Sequence, residues 1–190
     1  MMDYFKTLPL FDILTTEDLL NASEYFKVEK LNADEIILKA GRRCKNLYFI
    51  FSGLVFSHTS DENEQILWYE FEGNSFTDIH SFYTKKPSDN YIKAGENQTI
   101  LLSISYENLT KLFMTSHRWA IWCTHFKQNE LVRLTSYYEG LRIKDASQRY
   151  FELVAAHPKI LQRISLGHIA SYLGISQVSL SRIRAGIQKK

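Results

Sequence analysis

The chain has 190 residues, a formal net charge of +2 and 45% hydrophobic residues, which is enough for one large domain or two small ones with a buried core. Its only cysteines, Cys44 and Cys123, exclude a disulfide framework, a cysteine zinc site and an iron–sulfur cluster. No run approaches the roughly 18 apolar residues of a membrane span, and the small net charge hides an asymmetry. Residues 141–190 carry nine Lys/Arg against two Asp/Glu, or +7, whereas residues 1–140 carry fourteen against nineteen, or −5. A basic end on an acidic body points to a polyanion as the partner of that end alone.

In chain order, Met1 to Leu10 lacks a basic region followed by a long apolar run, so no signal peptide is expected and the protein is read as cytoplasmic. Leu8 to Phe11 is a short apolar stretch. A helix starts at Thr15 or Thr16, with Glu17 and Asp18 in its first turn, and Leu19, Leu20, Ala22, Ser23 and Phe26 on its inner face. From Leu31 to Ile104 the period shortens. Ile36–Leu38, Leu47–Phe51, Leu54–Phe56, Ile66–Phe71, Tyr91–Ala94 and Thr99–Ile104 are short runs rich in aromatic and β-branched residues, split by Gly and Asp/Asn turns. That pattern predicts an antiparallel roll or barrel.

Ser105 is placed to cap a short helix over Tyr106–Phe113, and a longer helix is predicted from about Ser116 to Tyr138. Trp119, Trp122, Phe126, Leu131, Leu134 and Tyr138 cover an arc of that helix wider than a one-sided stripe. One side is expected to pack on the roll and the other on the same helix of a second copy, with these six residues as the expected dimer interface. Gly140 reads as a break, and a further amphipathic helix spans Lys144–Ala156 and stops at His157-Pro158.

The most informative stretch is Ser165–Arg184. Ser165 and Ser176 are N-cap residues, and Gly174 supplies the positive φ that ends a first short helix. Ile169, Ala170 and Leu173 face Leu180 and Ile183 of a second. Gln177, Ser179, Ser181, Arg182 and Arg184 are left facing outward. This is helix-turn-helix chemistry, in which aliphatic contacts fix the crossing and the polar face of the second helix can enter a major groove.

The run Ile169-Ala170-Ser171-Tyr172-Leu173-Gly174-Ile175-Ser176-Gln177-Val178-Ser179-Leu180-Ser181-Arg182 resembles the signature of the Crp/Fnr family of bacterial transcription regulators, without gaps. Gly41, Leu47-Tyr48-Phe49-Ile50, Gly53 and Gly73 resemble the marks of that family's roll. The resemblance covers nearly the whole chain and implies an α+β fold. Its parts would be a cyclic-nucleotide-binding-like jelly roll over residues 1–114, a dimerisation helix over 115–140 and a helix-turn-helix domain over 141–190. It implies a homodimer on double-stranded DNA with a near-palindromic operator, RNA polymerase as a candidate further partner, and no membrane. Family members usually add a β-hairpin wing after the second helix, for which the six residues after Arg184 leave no room.

The resemblance also assigns roles. Arg182 matches a base-reading Arg, whose fork fits guanine O6 and N7. Gln177 and Val178 stand where relatives carry Arg and Glu, and Val178 can meet a thymine methyl. Ser165, Ser179 and Lys189 suit phosphates, and Ser176 and Ser181 complete the expected DNA-facing set. In cyclic-AMP-binding members a Glu holds the ribose and an Arg ten residues on holds the phosphate. The corresponding pairs here are Thr77-Asp78 and Ser88-Asp89, the expected effector pocket. Ser88 cannot neutralise a phosphate and Asp89 repels one, so cyclic nucleotide is not the expected effector. No cofactor or metal and no catalytic residue is expected, because no His-x-His set, nucleophile with a base, or glycine-rich phosphate loop stands out. The alternative is a ligand-sensing module acting on a protein partner.

Overall fold

The computed structural model describes residues 1–187. Two four-stranded antiparallel sheets face one another. The first has the order β1 (Phe26–Leu31), β8 (Thr99–Ser105), β3 (Asn46–Ser52), β6 (Ser75–Phe76). The second has the order β2 (Ile36–Leu38), β7 (Asn90–Ala94), β4 (Leu54–Thr59), β5 (Ile66–Phe71). Neighbours in each sheet are mostly distant in sequence, as in a jelly roll. Gly53 turns β3 into β4 at φ +92°, and a Cβ there would stand 2.5 Å from the Thr99 hydroxyl, so the turn needs glycine.

Helices α1 (Met2–Thr7) and α2 (Thr16–Ala22) precede the roll. Thr15 caps α2 in a reciprocal capping box with Asp18. Phe26, expected on the face of that helix, begins β1 instead and pairs with Ile104. The sheet supplies its backbone partners, so tertiary pairing overrides the local helical spacing. Within the roll, Asp78 caps a short helix α3 (Ile79–Thr84) that the turn pattern did not reveal.

After β8 come α4 (Tyr106–Thr115), capped by Ser105, and the 27-residue α5 (His117–Ile143), capped by Ser116. Gly140 does not break α5. An interior glycine costs a helix only about 1 kcal/mol, and α5 ends at Ile143, with Lys144 as its C-cap, just before Asp145 caps the next helix in its own capping box. That helix, α6 (Ala146–Ala156), ends at His157 and is followed by α7 (Ile160–Arg163), α8 (Leu166–Leu173) and α9 (Gln177–Ile187).

Two large apolar clusters join the parts. One gathers α1, α2, α4 and the first half of α5 onto the roll through Phe5, Phe11, Phe26, Phe49, Trp119 and Trp122. Their rings meet edge-on, tilted or stacked at 4.9–6.3 Å, and Trp122 Nε1 donates to the Leu10 carbonyl at 2.6 Å. The other cluster seats the C-terminal helices on the outer face of β4–β5, with Leu54, Phe56, Ile66, Tyr69 and Phe71 against Tyr150, Ile160, Ile169, Leu173 and Leu180. The expected dimer face therefore needs correction at two residues. Trp119 and Trp122 are almost fully buried in the core of their own chain, because α1 and α2 fold back over them.

Candidate nucleic-acid interface and effector cavity

Local hydrogen bonds build the α8–α9 unit. Ser165 Oγ accepts from the His168 N–H at 3.2 Å and starts α8. At its end Gly174 takes φ +70°, and the N–H groups of Gly174 and Ile175 donate to the carbonyls of Ser171 and Ala170. That is the Schellman arrangement, which satisfies the last carbonyls of a helix. Ser176 Oγ then accepts from the Ser179 N–H at 3.1 Å and opens α9. Leu180, fully buried, locks α9 onto Ile169, Ala170 and Leu173.

Gln177, Val178, Ser181 and Arg182 are left exposed in one six-residue span of α9, with the Gln177 amide lying against Gly167 of α8. Ser165 and Ser176 are spent on capping and the Ser179 hydroxyl bonds that of Ser176, although all three lie at helix N-termini, where backbone N–H groups favour an anion. Lys189 lies outside the described residues. Not every cation of the basic end faces out. Arg149 donates to the Leu173 carbonyl, Lys144 pairs with Glu152, and Arg163 reaches back to the roll.

Sequence reasoning missed the Arg163 contacts. Its guanidinium bonds Glu72 and Glu96 with four contacts of 2.7–3.0 Å, holding the C-terminal helices to the ends of β5 and β7. The stack of His157 on Phe71, 3.8 Å between centroids, and a bond from the Ile66 N–H to Ser171 Oγ complete the junction. Burial pushes the Glu72 carboxyl up, but the hydrogen bonds from Arg163 and from the Glu72 backbone, with the charges of Arg163 and His157, together bring the net shift downward. Burial also holds the His157 imidazole below its ordinary value, against the pull of Glu72. A local pattern could not reveal Arg163, because its partners lie 91 and 67 residues away.

The four residues of the expected effector pocket are brought together only in part. The Ser88 hydroxyl donates to Asp78 at 2.5 Å, and Asp78 also accepts from the Ser81 N–H as the α3 cap. Thr77 donates to the Asn46 carbonyl, and Asp89 is exposed. The two positions that would grip a nucleotide thus satisfy one another. The roll interior beside them is filled by side chains, with Tyr48 and Phe76 stacked at 4.9 Å and Trp68 packed against that group.

A cavity of about 610 Å³ opens instead between the roll and the second half of α5. Of the four residues only Thr77 lines it. Phe126, Leu131 and Leu134 of the expected dimer face line its α5 side, whereas Tyr138, also exposed, does not. Among the described residues no group of three or more His, Cys, Asp or Glu could hold a metal, and no helix is long and apolar enough to cross a membrane.

Comparison with known proteins agrees with this architecture. Residues 28–116 match the family model of the cyclic nucleotide-binding domain, which classes the roll. No curated protein matches the chain by sequence. Among solved structures it is similar to a protein from Eubacterium rectale described as a transcriptional regulator of the Crp/Fnr family. The TM-score is 0.70 and the identity 18%, over 96% of this chain and 88% of that one. It is also similar to the c-di-GMP-responsive global regulator CLP of Xanthomonas campestris, with a TM-score of 0.69 and 18% identity over 92% of each chain. FixK2 of Bradyrhizobium japonicum has a TM-score of 0.69 and 16% identity, over 86% of this chain and 85% of that one. The class is therefore a cyclic nucleotide-binding-type roll joined to C-terminal helices. Its particular architecture, as the resemblance implied, is that of the Crp/Fnr regulators; at these identities the likeness is one of fold.

Proposed function

We propose that the chain is a homodimeric transcription regulator of the Crp/Fnr type that binds double-stranded DNA through α9 and does not act as an enzyme. The observation that carries the reading is the exposed span of Gln177, Val178, Ser181 and Arg182 on a helix locked by Leu180. A major groove admits such a helix, and an Arg fork at its surface matches the guanine edge. The exposed residues Leu131, Val132, Leu134 and Tyr138 of α5 support the two-fold dimer, because so many large apolar groups on one helix half usually mark an interface. Two α9 helices then reach successive major grooves about 34 Å apart on a near-palindromic site. The hydrogen bond between Ser88 and Asp78 supports an effector other than cyclic AMP or cyclic GMP.

The test is selection of bound sites from a random DNA pool, followed by titration of matched and mismatched sites. Arg182→Ala should cost about 1–3 kcal/mol on the best site and relax selectivity at one base pair per half-site. Lys189→Ala should weaken all sequences alike and lower the salt slope by roughly one. Absence of any sequence-specific complex would replace this reading with the partner-binding sensor module. Calorimetry showing a micromolar dissociation constant for cyclic AMP, about −8 kcal/mol, would refute the effector argument.

A further inference from the structure

One end of the roll is opposite in charge to the rest of it. Two loops build that end, residues 39–45 before β3 and residues 85–89 before β7. Four hydrogen bonds tie them together. The Gly41 N–H donates to the Ser88 carbonyl at 2.8 Å, the Ser88 N–H to the Arg42 carbonyl at 2.9 Å, and the Cys44 N–H to Ser81 Oγ at 2.8 Å. The Ser81 hydroxyl in turn donates to the Lys86 carbonyl at 2.5 Å. The loops carry Lys39, Arg42, Arg43, Lys45, Lys85 and Lys86 against Asp89, or +5, whereas the other residues of 1–140 carry eight Lys/Arg against eighteen Asp/Glu, or −10.

Five of these cations are exposed and Arg43 is half-buried. Among the described residues none of the six belongs to an ion pair. Lys85 keeps its charge at φ +64°, at the C-cap of α3, in a left-handed conformation that favours glycine. Arg43 Nε and Nη2 are buried with no hydrogen-bond partner. That edge of a guanidinium presents two parallel N–H groups, the pair that grips two oxygens of one phosphate. Leaving it dry and unpaired is costly, and an anion that draws Arg43 outward relieves the cost. Charge and length then narrow the occupant. Asp61, Glu62 and Glu64 follow β4 at the same end of the roll, because Thr59 of β4 pairs with Asn90 at the start of β7. An extended polyanion such as a duplex meets these carboxylates, whereas a short one stays within the two loops. Linked phosphates put more charge and more acceptor oxygens into such a span than the carboxylates of a peptide.

We propose that these two loops form a surface site for a short polyphosphate chain, outside the interior of the roll and apart from α9. The proposal goes beyond the DNA-binding reading and does not depend on it. Lys85, Lys86 and Arg42 supply charge along the chain, and the Arg43 fork clasps one of its phosphates.

The test is titration calorimetry of the full chain at constant ionic strength, with tripolyphosphate as the probe and orthophosphate and ATP beside it. Tripolyphosphate should bind saturably and at least tenfold more tightly than orthophosphate. ATP binding as tight as that of tripolyphosphate extends the site to chains carried by a nucleoside, and weaker ATP binding restricts it to the free chain; either agrees with the proposal. Lys85→Gln combined with Lys86→Gln should weaken tripolyphosphate at least fivefold. Arg43→Lys, which keeps the charge and removes the fork, should weaken it at least threefold. Lys27→Gln combined with Lys30→Gln, on β1 and outside the loops, should change it less than twofold. Lys85 and Lys86 are exposed, so their double variant carries the test if Arg43→Lys does not fold. Equal affinity for orthophosphate and tripolyphosphate would mean an adventitious ion only and overturn the proposal. No saturable binding, or an equal loss in the Lys27 and Lys30 variant, would do the same. So would tighter binding of a poly-glutamate peptide or of a short duplex of arbitrary sequence, which would give the loops to a protein or DNA partner instead. Gel shift of the Lys85 and Lys86 variant on selected DNA reports the DNA-binding reading separately.

Discussion

The roll meets the rest of the chain at two junctions of opposite character. On one side Phe5, Phe11, Phe26, Phe49, Trp119 and Trp122 form a dry aromatic core with one internal hydrogen bond, from Trp122 to Leu10. On the other, an apolar centre is rimmed by Arg163, Glu72, Glu96, His157 and Ser171, all able to bond water if the contact opens. Aromatic burial of the first kind is lost only when the domain unfolds. A rim of charges and hydroxyls exchanges its bonds for water at modest cost, as at separable domain interfaces. On this difference the C-terminal helices, α6 to α9, are expected to separate from the roll before the roll itself unfolds.

The largest effect tests the dry junction. Trp122→Ala should lower stability by about 3–5 kcal/mol, the usual range for emptying a buried Trp site. Urea unfolding followed by circular dichroism should show the midpoint fall with the slope retained. A loss below about 1 kcal/mol would mean that this core is no more essential than the other junction.

Next in size is the second half of α5, where side chains of the same types are exposed. Val132→Asp combined with Tyr138→Asp should abolish self-association at tens of micromolar in sedimentation, with the urea midpoint of the monomer shifted by less than about 0.5 kcal/mol. An equally large fall in that midpoint would show that this half of the helix, too, is core.

The third prediction concerns the rimmed junction. Arg163→Ala should cost about 1 kcal/mol at most, since all three groups of the ion pairs, Arg163, Glu72 and Glu96, are partly open to water. Its signature is local. Hydrogen exchange at the Ile66 amide, which bonds Ser171 across the junction, should accelerate while β1 and β8 keep their protection. Uniform acceleration over all strands would contradict the separability of the two parts.

The smallest effect is on pH. The folded junction holds His157 below its ordinary 6.5 and Glu72 below its ordinary 4.5. A depressed folded value means stability that is complete above the ordinary value and lost as pH falls through the folded one. Protection at Ile66, corrected for the intrinsic exchange rate, should therefore decline first below about pH 6.5, through His157, and again below 4.5, through Glu72. His157→Phe should remove the first step and leave the second. Protection that rises on acidification would reverse the sign of the argument.

Much of this molecule was legible before its structure. Ser165, Gly174 and Ser176 act within four residues of themselves, so their spacing reveals the turn. Ile66–Phe71 is read at its observed bounds because Asp61-Glu62-Asn63 and Gly73 punctuate it. Phe26 was not legible, because its neighbours along the chain fit a helix and only Ile104, on β8, makes it a strand. Trp119 and Trp122 were misread as an outward face for a related reason. Helical periodicity locates an apolar arc but does not say which layer covers it.

By itself the sequence determined the short strands of the roll and the turn between α8 and α9, because each depends on local spacing. Only the tertiary structure decided that Ser88 and Asp78 close on one another, that Arg163 turns from the basic surface to Glu72 and Glu96, and that Tyr172 walls a cavity of the roll. The physical reason is separation along the chain. A hydrogen bond across three residues is encoded in their order, whereas one across 91 depends on where the sheets and α5 bring its ends.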